Sequence, residues 1–214
     1  MLDADKYLSI ASACEGLYKD KGSRFIAYAF PISSGDEAKV LIDNIRRDHH
    51  GARHHCWAYR IASIEEPSAP AGGVPAAEPR LSKDGIWRLS DDGEPSGTAG
   101  RQILGQIDSA GLRDILIVVV RYFGGILLGV PGLIAAYRGA AADAIGKADI
   151  VQKTASRDWT VVCGYEDLPK VENELKNIGI QPEKRDFSQD CRFFLRVALG
   201  KESMFKEKFY NFIK

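Results

Sequence analysis

The chain has 214 residues, 45% hydrophobic and 27% charged, with 29 basic residues against 29 acidic ones. That is length for one large domain or two smaller ones, with a core that needs no metal or disulfide staple. Neither residues 1–150 nor the remainder is a basic block, which excludes a body that grips nucleic-acid phosphates wholesale, although a local basic patch is compatible with it. None of the four cysteines, Cys14, Cys56, Cys163 and Cys191, forms a C-x-x-C pair, and no apolar leader opens the chain. The longest strongly apolar run, 115–120, is far too short to span a bilayer, so the chain reads as a reduced, cytoplasmic protein.

Residues 15–19 and 23–30 flank Asp20-Lys21-Gly22, a turn-prone tripeptide that predicts a β-hairpin. Ile26, Tyr28 and Phe30 share one face of its second strand, and Pro31 ends it. Ser34 with Glu37 three residues on is in capping-box register. Ala38, Leu41, Ile42 and Ile45 then predict a helix closing on Arg46 and Arg47, where its dipole favours cations. Residues 54–61 read as a strand with His55, Trp57, Tyr59 and Ile61 on one face and His54, Cys56, Ala58 and Arg60 on the other. Residues 66–80 carry four of the nine prolines and are expected to be a mobile loop.

A short strand at 86–89 leads into an acidic, glycine-containing loop and then a helix burying Ile103, Leu104 and Ile107. Residues 114–121 are the most strand-like segment, apolar enough to be buried on both faces. Glycines at 124, 125, 129 and 132 connect it to a helix with Pro131 near its start. Leu133, Ala136, Tyr137, Ala140, Ala141, Ala144 and Ile145 form the stripe of that helix, and its alanines predict close packing on a sheet. Residues 147–157 are polar without clear periodicity, which places a domain boundary there and gives domains 1–150 and 151–214. Beyond it, strand 159–163, helix 168–178, strands 180–187 and 191–199 and helix 201–213 give βαββα, a ferredoxin-like order without its last strand. The fold class is therefore α+β.

Four groups of residues have chemistry to offer. All four histidines lie between positions 49 and 55 beside Cys56; a metal site or a His54–Cys56 nucleophilic pair is conceivable, but a solvated turn and a half-buried strand account for them better. No metal or cofactor is expected. Asp91, Asp92 and Glu94 offer paired carboxylates for acid–base work, though the EF-hand pattern is not met and a tight turn has the same composition. Ser96, Thr98 and Arg101 stand at a helix start, where they either hold an anion or supply the N-cap. Arg121, Tyr122, Phe123, Gly124 and Gly125 lack the P-loop and dinucleotide fingerprints. They combine a cation with rings able to stack on bases, or else they pack the core.

The stretch from Ser90 to Gly100, followed by Arg121-Tyr122-Phe123-Gly124-Gly125, Leu128-Gly129 and Gly132-Leu133, resembles the signature of the IMPACT/YigZ family. The segments 21–26 and 54–59 resemble its pattern too, and the similarity covers about residues 15–145. It implies an N-terminal domain similar to ribosomal protein S5 domain 2, an α/β sandwich, and a small C-terminal ferredoxin-like domain similar to the last domain of translocation factor G. A eukaryotic relative restrains activation of a stress kinase that controls translation initiation by competing for the kinase's activator; it carries an extra N-terminal domain not expected here, so that partner is not carried over. Two departures stand out. Pro131-Gly132 replaces a common Gly-Gly, and Ala135 stands where the family often has Arg, leaving Arg138 as a substitute one turn later.

The resulting expectation is a non-enzymatic translation regulator or ribosome- or RNA-associated binding protein, without DNA sequence specificity or a membrane partner. The acidic loop and the Arg121–Gly125 loop would form its surface. The alternative is a hydrolase built on Asp91, Asp92, Glu94 and Arg121. The sequence leaves the oligomeric state open.

Overall fold

The computed structural model describes residues 5–66 and 79–213. The first part of the chain forms β1 (Lys6–Ile10), β2 (Cys14–Asp20), β3 (Ser23–Pro31), α1 (Gly35–Asp48), β4 (His54–Ile61), β5 (Ile64–Glu65), β6 (Arg80–Leu81), β7 (Ile86–Ser90), α2 (Gly100–Ser109), β8 (Ile115–Tyr122), α3 (Gly129–Lys147) and β9 (Ile150–Thr154). The remainder forms β10 (Ser156–Cys163), α4 (Leu168–Asn177), β11 (Pro182–Phe187), β12 (Cys191–Ala198) and α5 (Leu199–Phe209). Two compact units result: a larger one of Tyr7–Ser63 with Ser82–Lys153, and a smaller one, mainly from Thr154 onward, which also takes in the short β5–β6 ladder. The proline-rich loop expected at 66–80 falls, for 67–78, outside the described residues.

The larger unit is built on a five-stranded sheet in the order β2-β3-β8-β4-β7, antiparallel at every pairing. Alternation along β8 explains its layers. Ile115, Ile117 and Val119 join the core shared with α2 and α3, while Leu116, Val118 and Val120 join the core shared with α1. Each such side chain contributes about 1.5–3 kcal/mol by leaving water, so β8 is the axis of both cores, as its composition predicts. On β3 the small residues Ala27 and Ala29 go fully inside with Phe25, and the larger Ile26, Tyr28 and Phe30 are only half-buried on the α1 side.

The alanine stripe of α3 does what its small residues predict. A Cβ added at Gly16 on β2 would fall 2.4 Å from the backbone nitrogen of Ala144, so helix and strand touch backbone to backbone. The capping box of α1 forms with one residue of slip. Ser34 accepts from the Glu37 amide, but the Glu37 carboxylate takes the amide of Ser33 rather than of Ser34. β1 and β9, which pair with each other, are strands that the sequence did not disclose. β9 lies in the stretch read as polar linker because its faces are only exposed or half-buried, so no apolar alternation marks it.

The smaller unit has the sheet order β10-β12-β11, antiparallel throughout. Val161, Phe193, Leu195, Val197, Phe205 and Phe209 fill its core. α5 stops at Phe209, short of the expected 213. The chain then turns back: the Val162 amide donates to the Phe212 carbonyl at 2.8 Å, and Ile213 bridges Val161 in antiparallel sense. A single bridge thus lies beside β10. Cys163 and Cys191 are register partners, both buried; burial, reinforced by Cys191, pushes the Cys163 thiol up to about 11.

Candidate functional site

The acidic loop after β7 is held by its own first carboxylate. Asp91 Oδ1 accepts from the amides of Ala99 and Gly100, and Oδ2 accepts from Gly97. These are free N–H groups at the start of α2, the place where an anion is favoured. Of the two readings of Ser96 and Thr98, the capping one does not hold: Ala99 is the N-cap without a side-chain bond, Thr98 donates to the Pro95 carbonyl, and Ser96 is exposed. A carboxylate accepts three amide bonds at once, whereas a hydroxyl's geometry serves fewer, and Asp91 reaches α2 from the end of β7.

Asp92 faces elsewhere. Its Oδ1 accepts from Arg46 at the end of α1 (2.8 Å), its Oδ2 from the His55 amide (2.7 Å), and its carbonyl from His54 Nδ1 (2.8 Å). Glu94 is buried, and its Oε1 takes both Arg121 Nη1 at 2.6 Å and the Tyr137 hydroxyl at 2.8 Å. Asp91, Asp92 and Glu94 therefore have separate sets of donors, with none in common. Cys56 donates to the Asp91 carbonyl and lies 3.3 Å from the Tyr137 hydroxyl. Burial pushes the Cys56 thiol and the Tyr137 hydroxyl far above their ordinary ranges, so Cys56 is a core thiol. The conceivable His54–Cys56 pair does not form, since each side chain is committed to a different backbone carbonyl.

Of the other histidines, His49 and His55 are tied into hydrogen bonds. His49 bridges two tyrosines, with Tyr28 at Nε2 and Tyr122 at Nδ1, both at 2.8 Å. His55 Nε2 meets the His49 carbonyl, and burial lowers its pKa. Among the described residues, no group of three or more His, Cys, Asp or Glu side chains is placed to hold a metal ion.

Arg121, at the end of β8, is the pivot of the second loop. Its guanidinium lies 5.6 Å from the ring centre of buried Phe25 and 5.8 Å from that of exposed Phe123. Its Nε is buried without a hydrogen-bond partner. Gly124 is pressed against the hairpin turn: a Cβ there would lie 2.0 Å from the Gly22 carbonyl carbon, and its amide donates to Ser23 Oγ. Arg121, Tyr122 and Phe123, with Arg53, His54 and Leu127, line a cavity of about 420 Å³, a volume suited to a small ligand. Arg24 lies over the Tyr122 ring at 5.2 Å.

The candidate residues thus separate. Arg121, Tyr122 and Phe123 line the cavity, Asp92 and Glu94 support it from behind, and Asp91 caps α2. Gly124 abuts the hairpin turn, and Gly125 is exposed with a positive φ. Arg101 is exposed, and Arg138 is joined to α2 through Gln102. Sequence reasoning missed Arg53 and Leu127 as lining residues, and it read Tyr137 as core alone. A polar tip on an otherwise alanine-rich stripe was the available signal for Tyr137.

This is a two-unit α/β protein with a cationic, aromatic cavity on its larger unit. The Impact N-terminal domain family matches residues 21–145. The chain is 35% identical over 196 residues to IMPACT family member YigZ of Escherichia coli, covering 90% of this chain and 86% of that one. It is 31% identical over 201 residues to IMPACT family member YvyE of Bacillus subtilis, covering 94% and 84%. A solved structure described as that of a hypothetical protein superposes with a TM-score of 0.68 at 30% identity, over 95% of this chain and 91% of the other. The chain belongs to the IMPACT family. No helix among the described residues is long and apolar enough to cross a membrane.

Proposed function

We propose that the protein is a non-enzymatic regulator that binds the translation machinery, a ribosome, an RNA or a translation-associated protein, through the face that carries the 420 Å³ cavity. The carrying observation is the composition of that face. Arg53 is exposed and has no carboxylate partner among the described residues, while Phe123 and Leu127 are 54% and 81% exposed beside it. Exposed cations next to exposed rings suit ligands that carry both charge and flat surface. Family membership supports placing that binding near translation. On the same ground we assign the larger unit to the S5 domain 2-like class and the smaller to the ferredoxin-like class, with domains 1–150 and 151–214.

The hydrolase reading on Asp91, Asp92, Glu94 and Arg121 has less behind it, because each carboxylate already serves as a structural acceptor. Co-sedimentation with ribosomes at low and high salt, with and without nuclease, tests the proposal. Association at low salt that Arg53→Glu weakens is expected. No association at any salt would overturn the RNA and ribosome version, and capture of translation factors from native lysate would then be the remaining support.

A further inference from the structure

We infer that the cavity is a ribonucleotide subsite, in which His54 Nε2 accepts a hydrogen bond from a ribose hydroxyl. This rests on the binding reading above and names the chemistry of its ligand. The His54 ring is held at one edge. Its Nδ1 lies 2.8 Å from the Asp92 carbonyl oxygen, which can only accept, so Nδ1 carries the proton. In the tautomer that carries its one proton there, the other nitrogen is an acceptor. A Cβ added to Gly93 would sit 3.5 Å from Nδ1, so the Asp92–Gly93 turn covers that edge of the ring. His54 nonetheless lines the cavity, which leaves the Nε2 edge to face it, and Nε2 has no partner among the described residues.

An acceptor beside two arginines is a mixed demand. Arg53 is an exposed cation, whereas the charge of Arg121, 8% exposed, is already met by Glu94. Arg53 calls for an anion with several acceptor oxygens, and phosphate suits its planar guanidinium fork. The acceptor at His54 calls for a hydroxyl on the same ligand. Exposed Phe123, within cation–π distance of Arg121, offers a stacking face for a flat ring. Phosphate, hydroxyl and ring together describe a ribonucleotide, and the 2′-hydroxyl is the group by which a protein tells RNA from DNA. An inorganic anion would leave exposed Phe123 without a stacking partner, and so would an acidic peptide that lacks aromatic side chains.

The experiment is calorimetric titration of the full chain with adenosine 5′-monophosphate, its 2′-deoxy counterpart, adenosine and inorganic phosphate. It is repeated for His54→Phe, Arg53→Gln and Phe123→Ala, with circular dichroism to confirm folding. The ribonucleotide is expected to bind about three- to tenfold more tightly than the deoxynucleotide, the range of one hydrogen bond. His54→Phe should abolish that preference while keeping phosphate dependence. Arg53→Gln should weaken both nucleotides but not adenosine, and Phe123→Ala should weaken nucleotides more than inorganic phosphate. Equal affinity for ribose and deoxyribose in the unaltered chain, or an undiminished preference in His54→Phe, overturns the inference. Ribosome co-sedimentation that persists when no nucleotide binds overturns it too, while leaving the broader binding reading standing.

Discussion

Arg121 donates to Glu94 at 2.6 Å with both side chains nearly closed off from water. Tyr137, fully buried on α3, completes the shell of the carboxylate. Removing one partner leaves an uncompensated buried charge, so Glu94→Ala is expected to lower stability by about 3–5 kcal/mol. Tyr137→Phe removes a buried hydrogen bond to that carboxylate and should cost about 1.5–3 kcal/mol. Urea denaturation reads both. A Glu94→Ala loss no larger than that of Tyr137→Phe would mean that the pair is solvated in solution.

Asp91 rather than a hydroxyl caps α2. Its replacement by alanine frees three amides at once, and a loss of about 2 kcal/mol is expected, the upper end for a cap. Ser96→Ala should stay within about 0.5 kcal/mol, as for an exposed residue away from such features. If thermal melts show the reverse order, the capping assignment is wrong.

The contact of Gly124 with the hairpin turn gives a steric test. A Cβ there would overlap the Gly22 backbone, so Gly124→Ala should destabilise by about 1–3 kcal/mol, the cost of overpacking. Gly105 within α2 has open space around its Cβ direction, and alanine there should stabilise by about 0.5–1 kcal/mol. Denaturant midpoints of the two variants should move in opposite directions.

Burial holds the His55 pKa below its usual value, outweighing the raising influences of the His49 carbonyl and Asp92. The folded state therefore binds a proton less readily than the unfolded chain. Stability from this group is complete above the unfolded value of about 6.5 and is lost as pH falls through the folded value. The urea midpoint should decline from pH 7.5 to 5.5, and less so in His55→Gln. An identical decline in the variant would assign it to other groups.

Some of this was written plainly in the sequence. Apolar alternation on β8 and the alanine stripe on α3 each depend on one element's own pattern, and both cores follow from them. β9 escaped notice because its pairing with β1 joins segments far apart in sequence and buries neither face fully. At the site, Arg121, Tyr122 and Phe123 could be singled out as a cation beside rings. Arg53 and Leu127 could not, because their role depends on the end of β8 lying beside His54, its register neighbour Arg121 included. The destinations of the three carboxylates were equally hidden, since acidic residues in a turn look alike until their donors are in place.

The Asp91 carboxylate at the start of α2 has a consequence for what the molecule attracts. A free anion seeking that helix end must displace a tethered competitor, whose local concentration is on the order of millimolar or higher. The positive pole of α2 is in this sense already quenched from within. The pull on an incoming polyanion is left to side chains such as Arg24 and Arg53, which are exposed and out in the solvent. Attraction of that kind fades with rising ionic strength over a screening length of about 10 Å at 0.1 M salt. Capture by this protein should therefore be tunable by salt in a way that a helix-cradled phosphate would resist.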